Sequence, residues 1–353
     1  MNALTSTLEH THTIQHEKML ALPYQLKAHF QLTEKLQQQI AQQRQTIQNI
    51  LNGTDHRLMI ITGPCSIHDP EAVLDYAEKL SHLQSLVSDQ IFFVMRAYIE
   101  KPRTTVGWKG FLYDPNLDGS SDMQLGLEQS RELYLNLIEM GLPLASEILS
   151  PMATAYFDDL LAWGAIGART SESQIHREIS SHMPYSIGFK NGTDGSIQIA
   201  LDAIQSASNS HQFLGMSQSG LPSILQSEGN PHPHLILRGS NTGTNHQLSE
   251  INKIKAKNNG QLPALVIDCS HGNSAKNPLN QPQVLKQIIA ERNQTQVRGV
   301  MLESFLVDGQ QKISCDMVYG QSVTDGCLGW EKTAALYTEV AEMLRSQALD
   351  LTA

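Results

Sequence analysis

Four short segments, far apart in the chain, each set a metal-competent side chain beside small or turn-forming residues. They are Gly63-Pro64-Cys65-Ser66 running into Ile67-His68-Asp69, then Asp268-Cys269-Ser270-His271-Gly272-Asn273-Ser274, Glu303-Ser304 and Thr324-Asp325-Gly326. Between them, arginines and lysines follow apolar runs: Arg96, Lys101, Arg103, Arg169, Lys190 and Arg238. A divalent ion beside several fixed cations is what a phosphorylated, carbonyl-bearing substrate requires. Cys65, His271, Glu303 and Asp325 offer one sulfur, one imidazole and two carboxylates. That mixed set suits Mn, Fe, Co, Zn or Cu and suits Mg or Ca poorly, because those two prefer oxygen alone. No local spacing motif joins the four, and each has an ordinary structural reading. A cysteine after proline is commonly a small core residue, and a histidine beside serine a hydrogen-bonded loop residue. Cys269, Cys327 and His68 compete as ligands. Cys269 follows Asp268 by one position, so strand alternation turns it to the opposite face. His68-Asp69-Pro70 reads as a loop opening a helix.

The cations form clamps. Arg96-Ala97-Tyr98-Ile99-Glu100-Lys101-Pro102-Arg103-Thr104-Thr105 is dense in donors. Pro102 fixes the chain there, and Arg103 with the hydroxyls of Thr104 and Thr105 can hold a phosphate. Ala168-Arg169-Thr170, Gly188-Phe189-Lys190-Asn191-Gly192 and Leu237-Arg238-Gly239 repeat one arrangement: apolar run, cation, small or polar loop. A single such arginine is usually a surface ion pair worth little. The repetition at several strand ends argues for an anion site. Glu147 and Glu172 are candidates to orient these cations or a water.

Eight apolar runs of strand length carry these residues: 58–62, 91–95, 142–146, 165–168, 185–189, 235–237, 264–267 and 297–302. Several are continuous rather than alternating, as strands covered on both faces are. Most precede a helical segment. The rhythm predicts a (β/α)8 TIM barrel, in which chemistry sits at the C-terminal strand ends. The competing architecture is a doubly wound open sheet. Ahead of the barrel, Leu32, Leu36, Ile40, Ile47, Ile50 and Leu51 make one apolar helical stripe ended by Asn52-Gly53. The expected division is an N-terminal arm and helix over 1–57 and a catalytic barrel over 58–353. Residues 1–30, with His10, His12 and His16, read as a solvated arm. A small inserted β-hairpin is expected near 213–229, and a polar loop over 306–323 before a final helix near Trp330.

The chain has 353 residues, 40% of them hydrophobic, enough for a sizeable core. Its formal net charge of −10 disfavours nucleic acid and anionic membranes as partners. Four cysteines without a CxxC pair fit a reduced thiol state. With no signal-peptide pattern and no apolar run of membrane length, the expected location is cytoplasmic.

The segments 63–69, 100–110, 164–170, 188–195 and 268–271 resemble the microbial type I class of 3-deoxy-D-arabino-heptulosonate 7-phosphate (DAHP) synthases. The likeness runs from about position 58 to 331, and the match over 100–110 is highly specific. It implies a (β/α)8 barrel with an N-terminal extension that condenses phosphoenolpyruvate with erythrose 4-phosphate, using one divalent metal ion per subunit. By the same resemblance, Cys65, His271, Glu303 and Asp325 fall on the metal ligands. Arg96, Lys101, Arg169, Lys190 and Arg238 fall on the phosphoenolpyruvate site, and Arg103 with Thr104 on the erythrose 4-phosphate site. Glu147 falls near the reacting water, and Lys101 is the candidate proton donor. The resemblance also implies feedback inhibition by an aromatic amino acid. Ser150, Met152, Met183 and Phe213 mark the candidate effector segments. A homodimer or homotetramer is expected. Ser240 and Gly326 depart from the usual pattern, in loops rather than at ligands. Other readings are a synthase for a different aldose phosphate, a catalytically silent barrel that senses phosphorylated metabolites, and a scaffold acting through the N-terminal arm.

Overall fold

The computed structural model describes residues 17–350. His10, His12 and His16 therefore lie outside the described residues. Eight parallel strands form a closed barrel: β1 (Leu58–Gly63), β2 (Ile91–Arg96), β3 (Leu144–Glu147), β4 (Trp163–Ile166), β5 (Ser186–Lys190), β8 (His234–Leu237), β9 (Leu265–Asp268) and β10 (Gly299–Glu303). β1 pairs with both β2 and β10, which closes the barrel and excludes the open sheet. The helices that follow the strands are α3 (Pro70–Val87), α4 (Met123–Glu139), α5 (Thr154–Phe157), α6 (Gln174–His182), α7 (Gln198–Ala207), α8 (Leu248–Lys257), α9 (Gln281–Thr295) and α10 (Trp330–Asp350). No helix among the described residues is long and apolar enough to cross a membrane.

Strand alternation sorts the side chains. Met59 and Ile61 of β1, Val94 of β2, Ala145 of β3, Ile236 of β8, Val266 of β9 and Met301 of β10 share one buried cluster inside the barrel. Their neighbours in sequence, such as Leu58, Ile60, Phe93, Leu144, Leu235, Ile267 and Leu302, join the larger cluster between barrel and helices. Helix α2 (Glu34–Asn52) carries the expected apolar stripe. Its last turns put Ile47, Ile50 and Leu51 into the inner cluster with Met59 and Trp163 at the strand starts. The helix thus plugs the N-terminal mouth and leaves the opposite mouth for chemistry.

Residues 20–30 are less solvated than their composition implies. Helix α1 (Pro23–His29) buries Leu26. Lys27 pairs with Asp158 at 2.6 Å, and the Tyr156 hydroxyl donates to the Ala21 carbonyl at 2.8 Å. One short helix with a single buried leucine leaves almost no periodic signal, so its docking was not legible.

The insertion is an antiparallel hairpin of β6 (Gln212–Met216) and β7 (Pro222–Gln226), with Gly220 at φ 80° in its turn. β4 starts two residues earlier than expected, because Trp163 is a fully buried strand residue. Gly167 therefore opens a turn, its carbonyl accepting from Thr170 N and Ser171 N at 3.0 Å each. Arg169 sits on that turn rather than at the strand end. The 306–323 stretch is a loop tied by isolated bridges between Gly309 and Cys327 and between Gln310 and Ser322.

Candidate active site and metal centre

Continuing each inner row by two residues predicts what lines the open mouth. Ile61 leads to Gly63, Val94 to Arg96, Ala145 to Glu147, Gly188 to Lys190, Ile236 to Arg238, Val266 to Asp268 and Met301 to Glu303. A cavity of about 410 Å³ opens there. Twelve of the candidate residues line it: Cys65, Arg96, Lys101, Arg103, Thr104, Glu147, Arg169, Lys190, Arg238, His271, Glu303 and Asp325. Glu172 does not line it, and neither does His68.

Cys65 Sγ and carboxylate oxygens of Glu303 and Asp325 lie within 4.8 Å of one another. Cys65 is fully buried on the turn after β1. Burial raises its thiol pKa and Glu303 raises it further, while Lys101 opposes both. Glu303 Oε1 is buried and accepts no hydrogen bond, although Arg96 Nη2 stands 3.3 Å away. A buried carboxylate oxygen with no donor is costly unless a cation completes it. This orphaned atom beside a thiol and a second carboxylate fits a borderline divalent metal.

His271 lines the same cavity but is outside that 4.8 Å set. Its backbone is left-handed, with φ 52°. Nδ1 lies 2.9 Å from Asp268 Oδ2 and 2.7 Å from Ser270 Oγ. A carboxylate on Nδ1 fixes the proton there and leaves Nε2 as the nitrogen available to a metal. Cys269, next along β9, packs in the outer cluster with its thiol buried, as alternation requires. Cys327 is also buried, and its Sγ accepts from Cys65 N at 3.4 Å.

Asp268 is the residue that the sequence reading left without a role. It is 1% exposed, and Lys190 Nζ donates to its Oδ2 at 2.7 Å. Burial works against its ionisation, yet Lys190 and then His271 hold its carboxyl well below the usual range. One carboxylate thus orients both a candidate anion-binding lysine and a candidate metal ligand. The signal was available: Asp268 has the parity of Val266.

The remaining cations differ in how free they are. Arg96 Nε donates to the Pro64 carbonyl at 3.1 Å and Nη2 to the Cys65 carbonyl at 2.9 Å. Its guanidinium stacks 3.7 Å from the Tyr98 ring centroid. It therefore shapes the Cys65 turn while lining the cavity. Lys101 Nζ donates to Asp325 Oδ2 at 2.7 Å and to Cys65 Sγ at 3.0 Å. For Asp325, burial favours the neutral acid, but Lys101 and His271 overcome it and hold the carboxyl low. Arg238 Nη1 is buried with no hydrogen-bond partner. Burial lowers the pKa of its guanidinium, with Asp268 opposing. Arg169 stands exposed on its turn, and Arg103 Nε donates to the Trp108 carbonyl at 2.7 Å. An unpartnered guanidinium nitrogen, a lysine and a second arginine around one cavity are a donor set suited to an anion.

The loops are held locally. Asn191 Oδ1 accepts from Arg238 N at 2.8 Å, tying the ends of β5 and β8 together. Gly239, at φ 70°, lies against the Gly272 and Asn273 backbone where a Cβ would collide. Ser240, the departure after it, closes its own turn: its Oγ accepts from Thr242 N at 3.2 Å and Gly243 N at 3.0 Å.

The effector candidates are dispersed. Ser150 and Met152 lie on the loop after β3, and Met152 is 62% exposed. Met183 caps α6 and is buried. Phe213 of β6 packs edge-on to His182 with ring centroids 6.4 Å apart.

The sequence profile of the DAHP synthetase I family matches residues 31–338. A phospho-2-dehydro-3-deoxyheptonate aldolase, Tyr-sensitive, from Salmonella typhimurium is 46% identical over 341 residues, covering 95% of this chain and 96% of that one. A Trp-sensitive counterpart from Enterobacter agglomerans is 44% identical over 328 residues, covering 92% and 94%. The solved phospho-2-dehydro-3-deoxyheptonate aldolase of Francisella tularensis SCHU S4 superposes with a TM-score of 0.91 at 42% identity, covering 94% of this chain and 98% of that one. The chain belongs to the DAHP synthetase I family.

Proposed function

We propose that this chain condenses phosphoenolpyruvate with erythrose 4-phosphate and water, giving DAHP and inorganic phosphate. The observation that carries the reading is a single cavity at the strand C-termini that gathers Cys65, Asp325 and Glu303, whose Oε1 is orphaned, together with the unpartnered Arg238 Nη1. Cys65, Glu303, Asp325 and His271 would hold one divalent ion of Mn, Fe, Co, Zn or Cu character. When bound there, the ion would supply Lewis acidity toward the aldehyde oxygen.

The chain's own groups do the rest. Arg96 and Lys101 hold the phosphoenolpyruvate carboxylate; Arg169, Lys190 and Arg238 hold its phosphate. Arg103 and Thr104 hold the sugar phosphate. Carbon 3 of phosphoenolpyruvate attacks the aldehyde carbon, and Lys101 supplies a proton to the oxygen as it becomes alkoxide. Water, oriented by Glu147, adds at carbon 2. The C–O bond of that tetrahedral centre then breaks, and phosphate leaves into the cation cluster. Positioning and fixed charge supply most of the rate enhancement. A silent sensor barrel is disfavoured, because no cation or ligand of the set is missing.

The test is phosphate release from phosphoenolpyruvate and erythrose 4-phosphate, before and after verified metal removal. Turnover should vanish on chelation and return with added Mn²⁺. Full turnover in metal-free enzyme rejects the Lewis-acid role, and a preference for a five-carbon aldose phosphate rejects the substrate.

Feedback inhibition belongs to the same reading, since the relatives are named for tyrosine and tryptophan sensitivity. The candidate effector segments are those of Ser150, Met152, Met183 and Phe213. We further propose a homodimer or homotetramer. The hairpin exposes Leu214 at 79% and Ile224 at 74%, which are direct cross-strand partners. Titrating phenylalanine, tyrosine and tryptophan should find one inhibitor well ahead of the others, with light scattering on the same samples reporting more than one subunit. Indifference to all three, or a monomer, defeats the respective claim.

A further inference from the structure

Glu100 is a buried carboxylate that the mechanism above does not use. It is 5% exposed and lies at the base of the loop that carries Lys101, Arg103 and Thr104. That loop has a defined root. Leu112 N donates to the Ile99 carbonyl at 3.0 Å, and Lys101 N donates to the Lys109 carbonyl at 2.8 Å. Residues 99–101 are thereby paired with 109–112, and 102–107 project beyond them. Gly110, at φ 113°, sits where a Cβ would strike the Ile99 and Glu100 backbone, so the two arms of the root are in close contact.

The Glu100 side chain reaches in two directions from that root. Its Oε1 accepts from the Tyr113 hydroxyl at 3.1 Å, within the returning arm. Its Oε2 accepts from Ser150 N at 3.2 Å, on the loop after β3. That second loop begins at Glu147, which lines the reaction cavity. The carboxylate is therefore a side-chain bond between the loop for the sugar phosphate and the strand end that carries Glu147.

We propose that Glu100 is a positioning residue for the sugar phosphate: its carboxylate fastens the root of the 101–109 loop to the loop after β3. The inference rests on the reaction assigned above. Buried hydrogen bonds to a charged acceptor are the strong ones, and a loop held at its root presents Arg103 and Thr104 in one place. Of the phosphoenolpyruvate cations, Lys190 ends β5 and Arg169 and Arg238 follow β4 and β8, so none depends on this bond.

The bond is also sensitive to protons. Burial, opposed by the Ser150 and Tyr113 hydrogen bonds and aided by Glu147, pushes the Glu100 pKa up to about 7. The groups facing it are Tyr113 and Glu147, with Tyr134 of α4 behind. Its neighbour Lys101 is committed to Asp325 and Cys65. The carboxylate acceptor is present above about pH 7 and is lost as pH falls below it.

The experiment is steady-state kinetics of wild type, Glu100→Gln and Tyr113→Phe against both substrates and pH. Glu100→Gln should raise the KM for erythrose 4-phosphate about tenfold, and Tyr113→Phe about threefold, with the KM for phosphoenolpyruvate within about twofold. In wild type the erythrose 4-phosphate KM should climb as pH falls below about 7, and Glu100→Gln should lack the part of that rise due to Glu100. Amide hydrogen exchange over 101–109 should quicken in Glu100→Gln. An unchanged erythrose 4-phosphate KM overturns the proposal. So does a parallel loss in both KM values and kcat with a lowered Tm, which is a structural effect alone. If Glu100→Gln does not fold, Tyr113→Phe decides by the same KM split. A wild type without turnover overturns the reaction assignment instead. Hydrogen exchange then still decides the fastening, since unquickened exchange rejects it.

Discussion

Replacing Cys65 with serine lowers turnover at saturating substrates by on the order of 10³-fold, at about 1.36 kcal/mol per tenfold, while the barrel stays folded. The argument begins with softness. Cys65 gives the centre its one sulfur, and Glu303 and Asp325 give it oxygen. A serine hydroxyl at the same place is a hard, neutral ligand that does not deprotonate near neutral pH, so retention of a borderline metal falls steeply. In the metal-free state burial raises the thiol pKa, so metal binding must displace a proton, and affinity should rise with pH. The fold should tolerate the change. Sulfur and oxygen differ little in volume, and the Cys65 turn is held by Arg96 through the Pro64 and Cys65 carbonyls rather than through the thiol. Metal content after dialysis, measured beside phosphate release, is the check. A variant that keeps a full equivalent of metal would falsify the assignment of Cys65 as a ligand.

The centre was readable to this degree because a parallel barrel imposes a strict code. Strands buried on both faces read as continuous apolar runs, and the first polar residue at each run's end falls at the open mouth. Arg96, Glu147, Lys190, Arg238 and Glu303 were all found that way, and all line the cavity. Cys65, Lys101 and Asp325 lie on loops, where no periodicity applies; the motifs around Cys65 and Lys101 carried the resemblance, and Asp325 followed from it. Three things escaped. β4 was set two residues late because Trp163 was not counted as its first residue, and this placed Arg169 at a strand end rather than on a turn. Glu100 was only one letter of a motif, because its role depends on Ser150, fifty positions away and invisible to local spacing. Asp268 was named only as a neighbour of Cys269. A buried acid gains meaning from the cations it meets, and those arrive from β5 and from the loop after β9.

Asp268→Asn should carry the largest cost in stability. The substitution keeps the shape of the side chain and removes its charge. Lys190 Nζ, buried and 2.7 Å from Oδ2, then loses the one carboxylate it pairs with among the described residues. Removing one member of a buried pair costs about 3–5 kcal/mol, because the other charge is left uncompensated. A domain with roughly 5–15 kcal/mol of stability survives that loss but unfolds at clearly lower urea. Two functional effects accompany it. His271 loses the carboxylate on Nδ1, which should weaken metal binding by about 10–100-fold. Lys190 loses the acceptor that fixes its position, so the KM for phosphoenolpyruvate rises. Ser270 Oγ, 2.6 Å from Oδ1, loses its charged acceptor, and an amide oxygen can still receive it. The charge effect separates from these local ones in a double-mutant cycle with Lys190→Met. If the uncompensated lysine is the cause, adding Lys190→Met to Asp268→Asn restores much of the lost stability while activity stays low. Equal and additive losses in the two single variants would mean that the ion pair contributes nothing beyond packing, and that Asp268 serves His271 alone.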